Sequence, residues 1–235
     1  MFEISGERPI GDVIFASCDS VYFNNFGIPL LYSANEQGND LHIHIMNPTY
    51  EDIVMAQNLK NEMKVNFTYS YEQTPANVRE YYSCNRFMVA PYFLETADRI
   101  LIIDTDCLIM QKLEFPDAEL GLFLRDPIPG TVGWENEGTH VAAGMVLMSK
   151  EAMNFAKDLS KQLYEHQLIW FLDQVMLWRL YNEYKEVLNF HQFTDKDMDW
   201  EFLPDTKIWT GKGPRKYDNP KYVAEQQKYR DMHVS

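Results

Sequence analysis

Three cysteines, Cys18, Cys84 and Cys107, are all this chain carries, an odd number at spacings that match no metal-ligand or disulfide framework. They read as reduced, mostly buried thiols of an intracellular protein. Long apolar runs are missing as well. None approaches the roughly 18–20 residues that a membrane span needs. The opening "MFEISGERPIGD" has no basic stretch followed by an apolar one, so no secretory leader is visible. The expectation is a soluble, cytoplasmic protein without a membrane span. Basic residues are scarce, 21 against 35 acidic, for a formal net charge of −14. That balance opposes non-specific binding to nucleic acid or to an anionic membrane. No repeat, low-complexity tract or linker interrupts the sequence, so residues 1–235 read as a single domain. What is plentiful is core material: 46% hydrophobic and 14% aromatic residues, too much for a disordered chain.

The apolar pattern alternates between two periods. "DVIFASC" (Asp12–Cys18), "LHIHIM" (Leu41–Met46), "KVNFTYS" and "RILIIDTDCLIM" (Arg99–Met110) read as strands. Between them, "DSVYFNNFGIPLLYSANEQ" reads as a loop leading into a helix with Pro29 near its start, "YEDIVMAQNLKNEM" has helical spacing, and Asn77–Thr96 is a further helix. Strand–helix alternation predicts an α/β, doubly wound and mainly parallel sheet flanked by helices, with ligands beyond the carboxyl ends of the strands. The second half is less regular. "GLFLRD", "HVAAGMVLMS" and "VLNF" look like strands; "KEAMNFAKDLSKQL", "DQVMLWRLYNEY" and the polar "NPKYVAEQQKYRDMHVS" look like helices.

One stretch conflicts with its surroundings. Asp104 and Asp106 fall in the middle of the apolar "RILIIDTDCLIM", although aspartate is depleted in strands and is rarely buried without a partner. A metal ion, a basic partner or water must offset the cost. In an extended chain the two side chains share one face, about 6.5–7 Å apart, and can converge on a single cation. Oxygen ligands suit Mg2+ or Mn2+, which characteristically bridge one or two carboxylates to substrate phosphates. The acidic "DKDMD", with Asp195, Asp197 and Asp199, lacks the glycine of a calcium loop, Trp200 standing in its place, and reads as a solvated loop.

An ordered set of motifs then carries a resemblance over most of the chain. "VIFASCDSVY", "NRFMVAPYFLETADRILIIDTDCLIM", "HVAAGMVLMS", "FLDQVML" and "IWTGKGPRK" together resemble the nucleotide-sugar-dependent glycosyltransferases of the GT-A fold, most closely family 8. The resemblance implies a GT-A (Rossmann-like) domain with a mixed, mainly parallel sheet. It implies transfer of a hexose, glucose or galactose favoured, from a UDP-sugar donor to an unknown carbohydrate or other hydroxyl acceptor. Anomeric configuration would be retained and Mn2+ or Mg2+ required. Asp104 and Asp106 are the implied metal ligands. Ala16, Ser17 and Asp19 are implied at the uracil and ribose, and Arg86, Thr105, Ala143 and Gly144 along the rest of the donor. Asp173 and Gln174 are implied beside the reacting sugar, and Gly211, Lys212 and Gly213 at the diphosphate. Gly211 and Gly213 would let the backbone approach phosphate closely and Lys212 would add a point charge; Lys212, Asp173 and Gln174 are the catalytic candidates.

The sequence departs from that family in two places. Ile208 stands where the family has a third metal ligand, a histidine, three residues before the glycine; His191 and His233 are the remaining histidines weighed for that role. Ala142-Ala143-Gly144 replaces the family's Asn-Ala-Gly. Two other classes compete: a catalytically inactive nucleotide-sugar-binding module, and a metal-dependent sugar nucleotidyltransferase. The latter usually places a glycine-rich basic loop after the first strand, where this chain has "SCDSVYFNN". An inverting reaction would need a general base, for which Glu201 and Asp205 are available. Trp134, in the Gly/Pro-rich loop Arg125–His140, is a candidate for stacking on a sugar.

Overall fold

The structure is a computed structural model and describes residues 3–74 and 79–234. Among the described residues eleven strands form two sheets: β1 Ser5–Gly6, β2 Gly11–Asp19, β3 Leu41–Met46, β4 Phe67–Glu72, β5 Ala97–Ile103, β6 Cys107–Ile109, β7 Leu120–Leu124, β8 Val141–Ser149, β9 Phe190–Gln192, β10 Met198–Asp199 and β11 Ile208–Thr210. The large sheet has the order β1-β4-β3-β2-β5-β8-β7-β9, and a small one the order β10-β11-β6. β4, β3, β2 and β5 run parallel, whereas β8 is antiparallel to both β5 and β7. From β2 the chain steps outward to β3 and β4, then returns to add β5 on the other side. The strand order therefore reverses between β2 and β5, the position at which open α/β sheets bind ligands.

Strand periodicity divides the core between the two faces. Ile14, Ala16, Leu101 and Ile103 pack into one buried cluster, against the helices Ile28–Glu36 and Pro220–Val234. Val13, Phe15, Ile100 and Ile102 pack into the other, against Arg79–Met88, Met153–Glu165 and Leu172–Tyr184. Alternate residues of one strand point to opposite faces, so both faces being apolar makes β2 and β5 near-continuous hydrophobic runs. All three cysteines are buried free thiols. Among the described residues no helix is long and apolar enough to cross a membrane.

Several boundaries differ from the sequence reading. The stretch after β2 is helical from the outset: Ser20–Tyr22, then a π-helical Phe23–Gly27 running straight into Ile28–Glu36. Asn24 and Asn25, residues that favour turns, spend their amides on the carbonyls of Ser20 and Val21 one turn back. The helix expected over Asn77–Thr96 runs Arg79–Met88 and restarts as Ala90–Phe93 with Pro91 in its first turn; Asn77 lies outside the described residues. The last strand of the large sheet is Phe190–Gln192 rather than "VLNF". Nor is "DKDMD" a solvated loop throughout. Asp199 is buried and accepts the backbone N–H groups of Glu201, Phe202 and Leu203, closing the turn that precedes β11.

β3 carries two histidines in a fully buried strand. His42 Nδ1 lies 2.8 Å from Thr68 Oγ1 and its Nε2 2.8 Å from Ser70 Oγ, both hydroxyls on β4, while His44 Nδ1 shares Ser70. Burial, followed by the neighbouring His44, holds the His42 pKa well below the usual imidazole value. The folded state therefore keeps His42 neutral at a pH where the unfolded chain, titrating near about 6.5, takes up a proton. That contribution is whole above about 6.5 and is lost as pH falls towards the folded value, at up to about 1.4 kcal/mol per pH unit. Urea unfolding at a series of pH values should show stability declining on the acid side. His42→Gln should remove up to one proton from the slope; an unchanged slope would mean that His42 is charged in the fold.

Candidate active site

Asp104, Thr105 and Asp106 are not part of a continuous strand. β5 ends at Ile103 in the large sheet, β6 begins at Cys107 in the small one, and the three residues form the turn between them. The flanking residues look like one strand in sequence because both sheets bury them. Each carboxylate has its own protein cation. Arg86, on the helix Arg79–Met88, donates from Nη1 to Asp104 Oδ1 at 2.6 Å. Lys216, in the short helix Arg215–Asp218, donates to Asp106 Oδ2 at 2.7 Å. Of the partners open to the sequence reading, basic side chains hold these positions.

The turn is fixed on its other sides by backbone. Asp106 O accepts Gly211 N–H and Tyr222 Oη–H, each at 2.8 Å, and Thr105 Oγ1 donates to Ser17 O at 3.1 Å. Two glycines make the approach possible. A Cβ on Gly144 would lie 2.8 Å from Asp104 Oδ2, and one on Gly211 would lie 2.7 Å from Lys216 Cβ and 3.0 Å from Asp106 O.

A cleft of ≈ 720 Å³ opens here, at the carboxyl ends of β2 and β5, within the ≈ 300–1,000 Å³ usual for small-molecule sites. Ser17, Asp19, Arg86, Asp104, Thr105, Asp106, Ala143, Gly144, Asp173, Gln174, Lys212 and Gly213 all line it. Ala16 and Gly211 do not. Ala16 points into the core beside Ile14, and Gly211 lies behind the wall, bonded to Asp106 O. Asp19 is already engaged, since its Oδ1 caps the following helix by accepting Tyr22 N–H at 2.7 Å. Ser17 Oγ donates to Asn85 Oδ1 and Asn85 Nδ2 to Glu72 Oε1, a buried polar chain linking β2 to β4.

The structure adds cleft residues that the sequence did not single out: Tyr22, Arg79, Arg125, Trp170, Trp200 and Lys216. Arg125 donates to Gln174 Oε1 at 3.2 Å and to Thr139 O at 2.6 Å, joining the sugar-side candidate to the Arg125–His140 segment. Trp134 is not on the cleft wall; its indole N–H bonds Trp170 O and Arg179 covers its ring. Trp170 lines the cleft in its place, with the Arg79 guanidinium 4.2 Å from its centroid. Glu201 faces solvent and pairs with Arg215, and Asp205 is exposed, so neither reaches the cleft.

Asp173 opens the helix Leu172–Tyr184 after Phe171, whose φ of 69° is unusual for a bulky residue and lies where strained conformations tend to mark function. Burial raises the Asp173 pKa, opposed by the charge of Arg86, whose Nη2 lies 3.4 Å from Asp173 Oδ2. Burial, with Arg125 nearby, lowers that of Lys212, and Asp104 opposes. Burial and the charge of Asp104 raise that of Asp106 against the opposing pull of Lys216 and Arg86.

The divalent ion that the resemblance implies does not fit this arrangement. Both carboxylates already accept a bond from a protein cation, and Ile208 supplies no third ligand. His191 packs on Phe193 and His233 lies beside Tyr32, neither of them on the cleft. Among the described residues no group of three or more His, Cys, Asp or Glu is placed to hold a metal.

No family model matches this sequence, and no curated protein matches it either. Solved structures do match the fold. The galactosyltransferase LgtC, in complex with donor and acceptor sugar analogs, superposes with a TM-score of 0.61 at 13% identity over 95% of each chain. The glycosyltransferase GlyE of Streptococcus pneumoniae TIGR4 gives 0.59 at 12% identity, covering 97% of this chain and 64% of that one. An active-site mutant of LgtC gives 0.56 at 11% identity over 95% of each chain. The fold is therefore the GT-A glycosyltransferase fold: α/β, with a mixed sheet of mainly parallel strands flanked by helices.

Arg86 joins three elements, bonding Asp104, Asp173 and Ala143 O on β8. Removing one member of a buried ion pair leaves an uncompensated charge and costs about 3–5 kcal/mol. With Asp104 about one-third exposed, Arg86→Ala should fall at the lower end, about 3 kcal/mol by denaturant titration. Arg86→Lys should recover only part of this, since an ammonium cannot span both carboxylates as a planar fork does. Equal stability of Arg86→Ala and wild type would remove Arg86 from its structural role.

Proposed function

We propose that this chain is a glycosyltransferase that moves a hexosyl group from a nucleoside diphosphate sugar, uridine diphosphate favoured, to a hydroxyl on a carbohydrate or other acceptor. The observation that carries this reading is the charge of the cleft. Arg79, Arg86, Arg125, Lys212 and Lys216 line it against Asp19, Asp104, Asp106 and Asp173, a local excess of positive charge in a chain of formal net charge −14. A positively lined cleft at a strand-order reversal suits a dianionic diphosphate. We assign the sugar and uracil of the donor to the aromatic and hydrogen-bonding groups along the rest of the wall.

In the reaction the bond from the anomeric carbon to the diphosphate oxygen breaks, and its electron pair leaves with the nucleoside diphosphate. The acceptor oxygen forms the new bond to that carbon, and its proton passes to the released diphosphate or to solvent. The chain's contribution is mainly electrostatic: fixed positive groups face the oxygen on which charge develops. Lys212 is such a group, with Gly213 beside it at φ 66° turning the backbone along the cleft wall. The donor sugar is assigned to Asp173 and Gln174, which Arg86 and Arg125 respectively hold on the cleft wall. Retention of configuration accords with the family-8 resemblance. A nucleotidyltransferase is the weaker reading, because the turn after β2 is a helix capped by Asp19 rather than a basic, glycine-rich phosphate loop.

Calorimetric titration with uridine diphosphate, run with Mn2+ present, tests the donor site. Wild type should bind. Lys212→Ala should weaken binding by about tenfold or more, the order of one charge-assisted hydrogen bond. Gly144→Ala, which sets a methyl group against Asp104, should weaken it as well. Release of uridine diphosphate from UDP-glucose or UDP-galactose then separates an enzyme from an inactive binding module. Absence of any nucleotide binding would overturn the proposal.

A further inference from the structure

The cation on Asp106 is built into the chain, and its seat is specific. Besides Asp106 Oδ2 at 2.7 Å, Lys216 Nζ bonds Tyr22 Oη at 2.9 Å. Three rings surround it, with centroids 5.0 Å (Tyr22), 5.3 Å (Phe26) and 5.7 Å (Tyr217) away, all within cation–π range. The side chains of Lys216 and Asp106 are each 11% exposed, and both residues line the cleft. A lysine ammonium has three N–H donors. Asp106 and Tyr22 take two, which leaves one for a ligand in the cleft.

Charge accounting leads the same way. Arg86 neutralises Asp104 and Lys216 neutralises Asp106, so two monovalent cations do for this carboxylate pair what one divalent ion would do. With Arg86 shared between Asp104 and Asp173, a dication arriving at the turn meets one net negative charge rather than the two or three of bare carboxylates. To bind Asp106 Oδ2 it would have to lift the ammonium out of its aromatic seat, and the described residues offer no third ligand in return.

We propose that donor binding at this site is independent of divalent metal, and that the Lys216 ammonium, seated on Asp106, is the resident cation that contacts the donor's diphosphate. The inference rests on the glycosyltransferase reading, and its test is arranged to fail separately from that reading.

The experiment compares uridine diphosphate binding by calorimetry in excess EDTA and in Mn2+, for wild type and Lys216→Ala, with Mn2+ alone titrated against both proteins by electron paramagnetic resonance. The expected result is an unchanged wild-type affinity in the two buffers and no stoichiometric Mn2+ uptake. Lys216→Ala should lose about tenfold to a hundredfold in EDTA, the size of one charge-assisted hydrogen bond. It should also gain Mn2+ binding, because the substitution frees Asp106 Oδ2. Circular dichroism checks that this variant folds; should it not, the two wild-type arms decide by themselves. Wild-type binding lost in EDTA and restored by Mn2+ would overturn the inference and leave the glycosyltransferase reading standing. Lys216→Ala binding uridine diphosphate as tightly as wild type in EDTA would also overturn it. Binding in neither buffer would overturn both.

Discussion

Two carboxylates on one three-residue turn must be neutralised, and the surrounding architecture follows from how that is done. Asp104 and Asp106 sit where the chain leaves the large sheet for the small one. Each draws a cation from a distant element: Arg86, 18 residues earlier, and Lys216, 110 residues later. Leaving the buried Asp106 unpaired would cost several kcal/mol, and leaving the one-third-exposed Asp104 unpaired would cost less. The pairs therefore tie the helix Arg79–Met88 and the segment around Lys216 to the same turn. Arg86 reaches further, to Asp173, so that the start of the helix Leu172–Tyr184 is registered against the turn as well. A single electrostatic requirement thus assembles the cleft wall from four parts of the chain.

The same pairings reconcile the cleft with the charge of the whole protein. At −14 the chain as a whole repels anions, yet the cleft gathers five of its 21 basic residues and only four of its 35 acidic ones. Inside a low-dielectric cleft such groups act more strongly than solvated charges on the surface, which salt screens within about 10 Å. The local field, rather than the net charge, decides which ligand enters. An acidic exterior also disfavours larger polyanions, so a small, compact anion is the natural occupant.

The sequence made the frame legible and left the wiring obscure, for reasons that can be located. β2, β3 and β5 are long apolar runs whose period needs only neighbouring residues to be read, and the cleft's position follows from their alternation with helices. The helix after β2 was hidden by Asn24, Asn25 and Gly27; the turn preference of the two asparagines is cancelled by side-chain bonds to the preceding turn. The D-T-D turn was hidden because Ile103 and Cys107 are both buried, in different sheets, and a one-dimensional pattern cannot register a change of sheet. Lys216 gave no local signal at all. It is one of three basic residues in "GKGPRK", and only the fold brings Tyr22, Phe26 and Asp106 around it while leaving Arg215 in solvent beside Glu201.

A tethered ammonium and a diffusible ion answer the same need with different physics. A metal site loses its ion as its ligands protonate, and its occupancy follows the metal supply. Lys216 is always present, and its position is set by packing rather than by affinity. Burial pulls its pKa down, but the charge of Asp106 and the bonds to Asp106 and Tyr22 outweigh that, and the net shift is upward. It therefore remains charged around neutral pH, where a diphosphate is ionised. The cost is rigidity. Gly211, which must lack a side chain for Lys216 to pass, bonds Asp106 O, as does Tyr222 from the helix Pro220–Val234. The cation, its carboxylate and that helix are consequently tied to one another. The positive charge of this site is thus preorganised by the fold, seated on Asp106 and Tyr22 without need of a ligand.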